Sequence, residues 1–140
     1  MKRLLFFVLP LLLFAFPAVA NEALKTPWSL AYSDGSANHY RIGQDLQGGE
    51  TRFEYLPVRP EESSTGNYSG GEPRQGRLDA KQLAELQKWL NKLEGDKSLR
   101  TESRDKGTGA FTVNSGDDSR SFIIKNCPEL QAFNDFLKKL

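Results

Sequence analysis

Leu83, Leu86, Leu90 and Leu93 fall at spacings of three and four residues, the pattern that lines one side of an α-helix with apolar side chains. Asp79 stands just before this run with Gln82 three residues on, so its carboxylate can accept an orphan N–H while Gln82 reaches back. Gly95 falls where such a helix ends. Trp89 extends the stripe, whereas Lys81, Glu85, Lys88 and Lys92 occupy the other faces and read as a solvated surface. A helix striped in this way must be buried against another layer.

The flanking sequence supplies that layer. Trp28, Leu30 and Tyr32 alternate with smaller residues, Tyr40 and Ile42 continue the alternation, and Phe53 and Tyr55 open a third run that Pro57 weakens. A period of two marks half-buried strands, and Asp34-Gly35 and Gln47-Gly48-Gly49 are the turns between them. Beyond the helix, Phe111 and Val113 alternate, Gly116-Asp117-Asp118 turns the chain, and Phe122, Ile123 and Ile124 form a more apolar strand. Pro128 opens a last helix where its missing N–H costs nothing, with Leu130, Phe133, Phe136, Leu137 and Leu140 on its apolar face. The order β-β-β-α-β-β-α predicts an α+β fold, an antiparallel sheet of about five strands with both helices packed on one face. Cys127 is the single cysteine, so no intramolecular disulfide can form and stability must come from the core.

Residues 1–20 belong to a different argument. Lys2 and Arg3 precede an apolar run ending near Phe16, and Ala18-Val19-Ala20 follows; this is the design of a cleaved secretory signal peptide. The run is interrupted by Pro10 and is shorter than a membrane span. Cleavage after Ala20 is expected, leaving one α+β domain over residues 21–140, periplasmic or secreted and not inserted in a membrane. That domain carries 17 basic against 18 acidic side chains. No cluster of basic and aromatic residues forms a nucleic-acid footprint.

The longest polar stretch, residues 59–77, exceeds the usual length of a structureless connection, and such loops are functional or disordered. It holds Gly66, Gly70, Gly71 and Gly76 with Ser63, Ser64, Thr65 and Ser69, and one aromatic, Tyr68. An exposed tyrosine offers contact area at little entropic cost, and glycines admit a close backbone approach. Tyr68, Ser69, Gly70 and Gly71 are therefore the candidate partner-binding residues. The alternative is that Tyr68 folds back and staples the loop to the sheet.

Familiar catalytic patterns are absent: no nucleophile elbow, no zinc-binding His-Glu-x-x-His helix, no phosphate-binding loop and no dinucleotide fingerprint. One histidine, His39, and one cysteine cannot build the usual zinc sets, so no metal and no cofactor is expected. His39 with Cys127, Glu61 with Glu62, and Asp117 with Asp118 are the pairs an enzyme could use, but paired acids need a pocket that shifts their pKa values. Arg100, Arg104 and Lys106, beside Gly107-Thr108-Gly109, are candidates for holding an anion bidentately, against the plainer reading of an exposed charged edge in residues 96–108.

Tyr68-Ser69-Gly70-Gly71 followed by the leucine-striped helix resembles the segment of emfourin-type metalloprotease inhibitors in which a Ser-Gly-Gly turn precedes a helix. The resemblance covers residues 68–93. It implies a proteinaceous inhibitor, with Tyr68 to Gly71 as the residues that carry over. The expectation for the chain is a small exported binding protein, not an enzyme, acting through its long loop on a protein partner, with a protease as one candidate. The alternatives are an envelope enzyme using a carboxylate or Cys127 in a cleft, and an assembly protein that pairs through an exposed edge.

Overall fold

The computed structural model describes residues 24–44, 47 and 49–140; the expected leader, residues 1–20, lies outside the described residues. The elements are β1 (Trp28–Ser33), β2 (His39–Gln44), β3 (Arg52–Leu56), β4 (Arg74–Arg77), α1 (Ala80–Gly95), β5 (Arg100–Thr101), β6 (Gly109–Ser115), β7 (Asp118–Ile124) and α2 (Pro128–Leu137). They build one antiparallel sheet in the order β4-β3-β2-β1-β6-β7-β5. The α+β class and the two helices agree with the sequence pattern. The sheet has seven strands among the described residues, where about five were expected.

The two additional strands occupy the edges. Arg74–Arg77 closes what the sequence presents as the 59–77 loop, and Arg100–Thr101 interrupts the 96–108 segment. Neither shows an apolar alternation, because an edge strand touches the core with little of its surface. In β4 the inward positions are Arg74 and Gly76. The Phe53 ring lies where a Gly76 side chain would be, only 2.8 Å from the position of a β-carbon, and the Arg74 guanidinium sits 5.0 Å over the Tyr55 ring while bonding the Lys138 carbonyl at 3.1 Å.

One face of the sheet is apolar. Trp28, Leu30, Tyr32, Tyr40, Ile42, Phe53, Tyr55, Phe111, Val113, Phe122 and Ile124 are buried there beneath Leu86, Leu90 and Leu93 of α1 and Leu130, Phe133, Phe136 and Leu137 of α2. Phe133 joins the layers, with its ring 5.2 Å from Tyr32, 5.4 Å from Phe111 and 6.3 Å from Trp89. Truncating a fully buried phenylalanine of this kind costs about 3–5 kcal/mol. α1 starts as its sequence requires: the Asp79 carboxylate accepts from the Gln82 N–H at 2.7 Å and the Gln82 side chain accepts from the Asp79 N–H at 2.9 Å. The opposite face of the sheet carries Ser29, Ala31, Arg41, Gly43, Arg52, Glu54, Thr112 and Asn114 and is uncovered. Among the described residues no helix is long and apolar enough to cross a membrane.

Candidate functional site

With β4 taking its end, the long polar connection runs over residues 57–73. Its geometry starts at the β1–β2 turn, where the Asp34 carboxylate accepts from the N–H groups of Ser36 and Asn38 at 2.8 and 2.9 Å and from the Asn38 side-chain amide at 2.8 Å. A short acidic side chain that bonds backbone two residues on favours this kind of turn. The turn carries Asn38 into the interior, 4% exposed.

Asn38 is the node on which the loop hangs. Its amide oxygen accepts from the Val58 N–H at 2.9 Å, and its amide nitrogen donates to the Tyr68 hydroxyl at 3.0 Å. The returning strand of the loop is clamped beside it, with the Gly70 N–H donating to the Val58 carbonyl at 2.9 Å and the Tyr55 hydroxyl donating to the Gly70 carbonyl at 2.7 Å. Burial, with the nearby Tyr40, Asp34 and Tyr68 groups, pushes the Tyr55 phenol up to about 12, so it remains a donor at neutral pH. Buried polar groups satisfied in this way give a loop one conformation rather than many.

Between the clamps the chain makes its own turns. Pro60–Glu62 is one turn of 3-10 helix, held by the Glu62 carboxylate, which accepts from the Arg59 N–H at 3.0 Å and its guanidinium at 3.1 Å. Those contacts hold the Glu62 carboxyl below its usual range. Ser63 Oγ accepts from the Tyr68 N–H at 3.3 Å, and Ser69 Oγ from the Gly71 N–H at 3.2 Å. Gly71 has φ +95 with open space around it, a backbone conformation that suits glycine.

The candidate partner-binding residues separate into two roles. Tyr68 is pinned by its hydroxyl, yet its ring is the exposed large hydrophobic among the described residues, at 39%. Ser69 and Gly71 are exposed and line a groove of about 860 Å³ with His39, Leu56, Pro57 and Pro73. Gly70 faces inward against Asn38. The Ser-Gly-Gly turn leads into β4, so a strand stands between it and the helix.

Of the three candidate anion-binding residues, Arg104 and Lys106 line one cleft and Arg100 lies apart from it. Arg100 lies 4.0 Å over the Phe122 ring and bonds the Glu94 carbonyl at 2.8 Å, with its Nε buried and unpartnered. Arg104 braces two turns: it donates to the carbonyls of Ser33, Asp34 and Thr108 at 3.1, 2.7 and 2.5 Å, and to the hydroxyls of Ser33 and Thr108. Lys106 is exposed and lines a cleft of about 570 Å³ with Ser36, Val58, Ser63 and Tyr68. The fold thus places Lys106 beside the tyrosine of the other candidate set, a proximity that no local spacing encodes.

Asn38 escaped the sequence reading as a site residue; the one available signal was its position three residues after Gly35, at the end of the Asp34-Gly35 turn. Cys127 is half-buried ahead of α2 and makes no capping bond, while His39 is exposed at the start of β2. No hydrogen bond joins them among the described residues. Asp118 pairs with Arg120 at 2.9 Å. The described residues hold no group of three or more His, Cys, Asp or Glu placed to bind a metal. No family model, no curated protein and no solved structure matches this chain.

Proposed function

We propose that the chain is an exported, non-enzymatic binding protein whose contact surface is the 57–73 loop. The observation that carries this reading is Tyr68, whose hydroxyl is fixed by the buried Asn38 while the residue remains 39% exposed. Fixing an aromatic contact before association avoids the cost of ordering it on binding. The grooves on either side of the loop, one containing Ser69 and Gly71 and the other Lys106, give a partner somewhere to place its own side chains. The partner is a protein, and steric occupation of its groove is the mode of action. A metalloprotease is the first class to assay, because the Tyr68 to Gly71 segment resembles that of emfourin-type inhibitors.

The test is capture from envelope extract and culture fluid with three forms: the wild type, Tyr68→Phe and Tyr68→Ala. A partner held by the wild type, held more weakly by Tyr68→Phe, whose ring is no longer pinned, and lost by Tyr68→Ala, with all three equally folded by circular dichroism, supports the loop as the contact. Equal capture by Tyr68→Ala overturns it. Inhibition of secreted metalloproteases by the captured form then decides the protease assignment.

A further inference from the structure

A second surface lies on the uncovered face of the sheet, away from Tyr68. Register places Ser29, Gly43, Arg52 and Arg77 in one row across β1, β2, β3 and β4, so Arg52 and Arg77 stand directly opposite each other. Like charges in that position destabilise a sheet. Arg41, on the next row of the same face, completes a trough of about 910 Å³ whose floor includes Ser29 and Ala31. Arg77 is compensated by Glu50 at 2.6 Å, and Arg41 more loosely by Glu54 at 3.7 Å. The Arg52 side chain has no hydrogen-bond or ion-pair partner among the described residues. A chain whose charges nearly balance has gathered three guanidiniums around small residues and left one unanswered.

The occupant that fits carries carboxylates, since a guanidinium fork binds them bidentately. β4 is an edge strand and pairs only with β3, so the trough is open on that side to an incoming segment. An extended chain with acids at alternate positions turns them all to one face, here the face of Arg77 and Arg52. We propose that this trough binds an extended acidic segment of a partner protein, laid across β2, β3 and β4 over Arg41, Arg52 and Arg77. The inference is independent of the loop and stands or falls separately from it.

The experiment titrates the full chain with an alternating Glu-Thr peptide, an alternating Gln-Thr peptide and inorganic phosphate, read by amide NMR shifts and by fluorescence anisotropy. The Glu-Thr peptide is expected to shift the amides of residues 41–43, 52–54 and 74–77. Arg52→Gln is expected to weaken binding by about tenfold or more, the scale of a charge-assisted pair, without lowering Tm, because it relieves the opposition to Arg77. Arg77→Gln provides the same comparison from the facing strand. Roughly 0.5 M salt should also weaken the complex, as it does any exposed charge pairing. No shift with the Glu-Thr peptide, equal binding of the Gln-Thr peptide, undiminished binding by both variants, or binding of phosphate alone would each overturn the proposal.

Discussion

The side-chain oxygen of Asn38 lies 2.0 Å from the place a β-carbon on residue 70 would take. Gly70 is therefore required by a buried amide that already holds the Val58 N–H and the Tyr68 hydroxyl, and its close approach is made to the β1–β2 turn of the same chain. Gly70→Ala should push the two apart and cost about 1–3 kcal/mol, the usual scale of overpacking. Asn38→Ala should cost about 1–3 kcal/mol by stranding the Val58 N–H. The double variant should lose less than the sum of the two single losses, since the closest contact has gone with the amide while the Pro57 β-carbon, 2.8 Å from the same position, remains; urea denaturation of the four proteins measures the coupling. Additive losses would mean that the contact is not what fixes glycine at this position.

Arg104 ties Ser33, Asp34 and Thr108 together through both terminal nitrogens of its guanidinium. An ammonium cannot reproduce a planar fork, so Arg104→Lys should destabilise by about 1–3 kcal/mol and speed amide exchange at Asn38 and Thr108. A loss below about 0.5 kcal/mol, the range of an ordinary surface substitution, would show that solvent replaces the brace.

Burial raises the phenols of Tyr32 and Tyr40 above their ordinary value and pushes that of Tyr55 up to about 12. The unfolded chain releases these protons near pH 10, so the folded protein holds more protons between the two values. Stability is thus complete below about pH 10 and falls as the pH rises toward 12. Thermal melts across that interval should show Tm falling, and Tyr55→Phe should flatten the fall even if its starting Tm is lower. An unchanged slope in the variant would remove Tyr55 from the account.

Asp79 is exposed, and its carboxylate holds the Gln82 N–H. Asp79→Ala should cost about 1 kcal/mol, as the loss of a helix cap usually does. Asp79→Asn should recover most of that loss, because its amide oxygen can still accept. Chemical denaturation of the pair separates loss of the cap from loss of the charge.

The sequence by itself determined the elements whose apolar residues repeat with a clear period and whose ends carry their own signals. α1 with its Asp79 and Gln82 cap, α2 opened by Pro128, the strands around Trp28, Tyr40, Phe53, Phe111 and Phe122, and a sheet covered by helices on one side were all legible, because each follows from neighbours within a few positions. Only the tertiary structure decided the rest. Arg74–Arg77 becomes a strand because β3 offers it a ladder and Phe53 covers Gly76; nothing in Arg-Gln-Gly-Arg alternates. Arg104 becomes a brace because the carbonyls of Ser33 and Asp34, distant in sequence, converge on it, and Tyr68 is fixed because Asn38 arrives from another turn. Hydrogen bonds of this kind are set by which segments the packed core brings together, and a local pattern holds no record of that meeting.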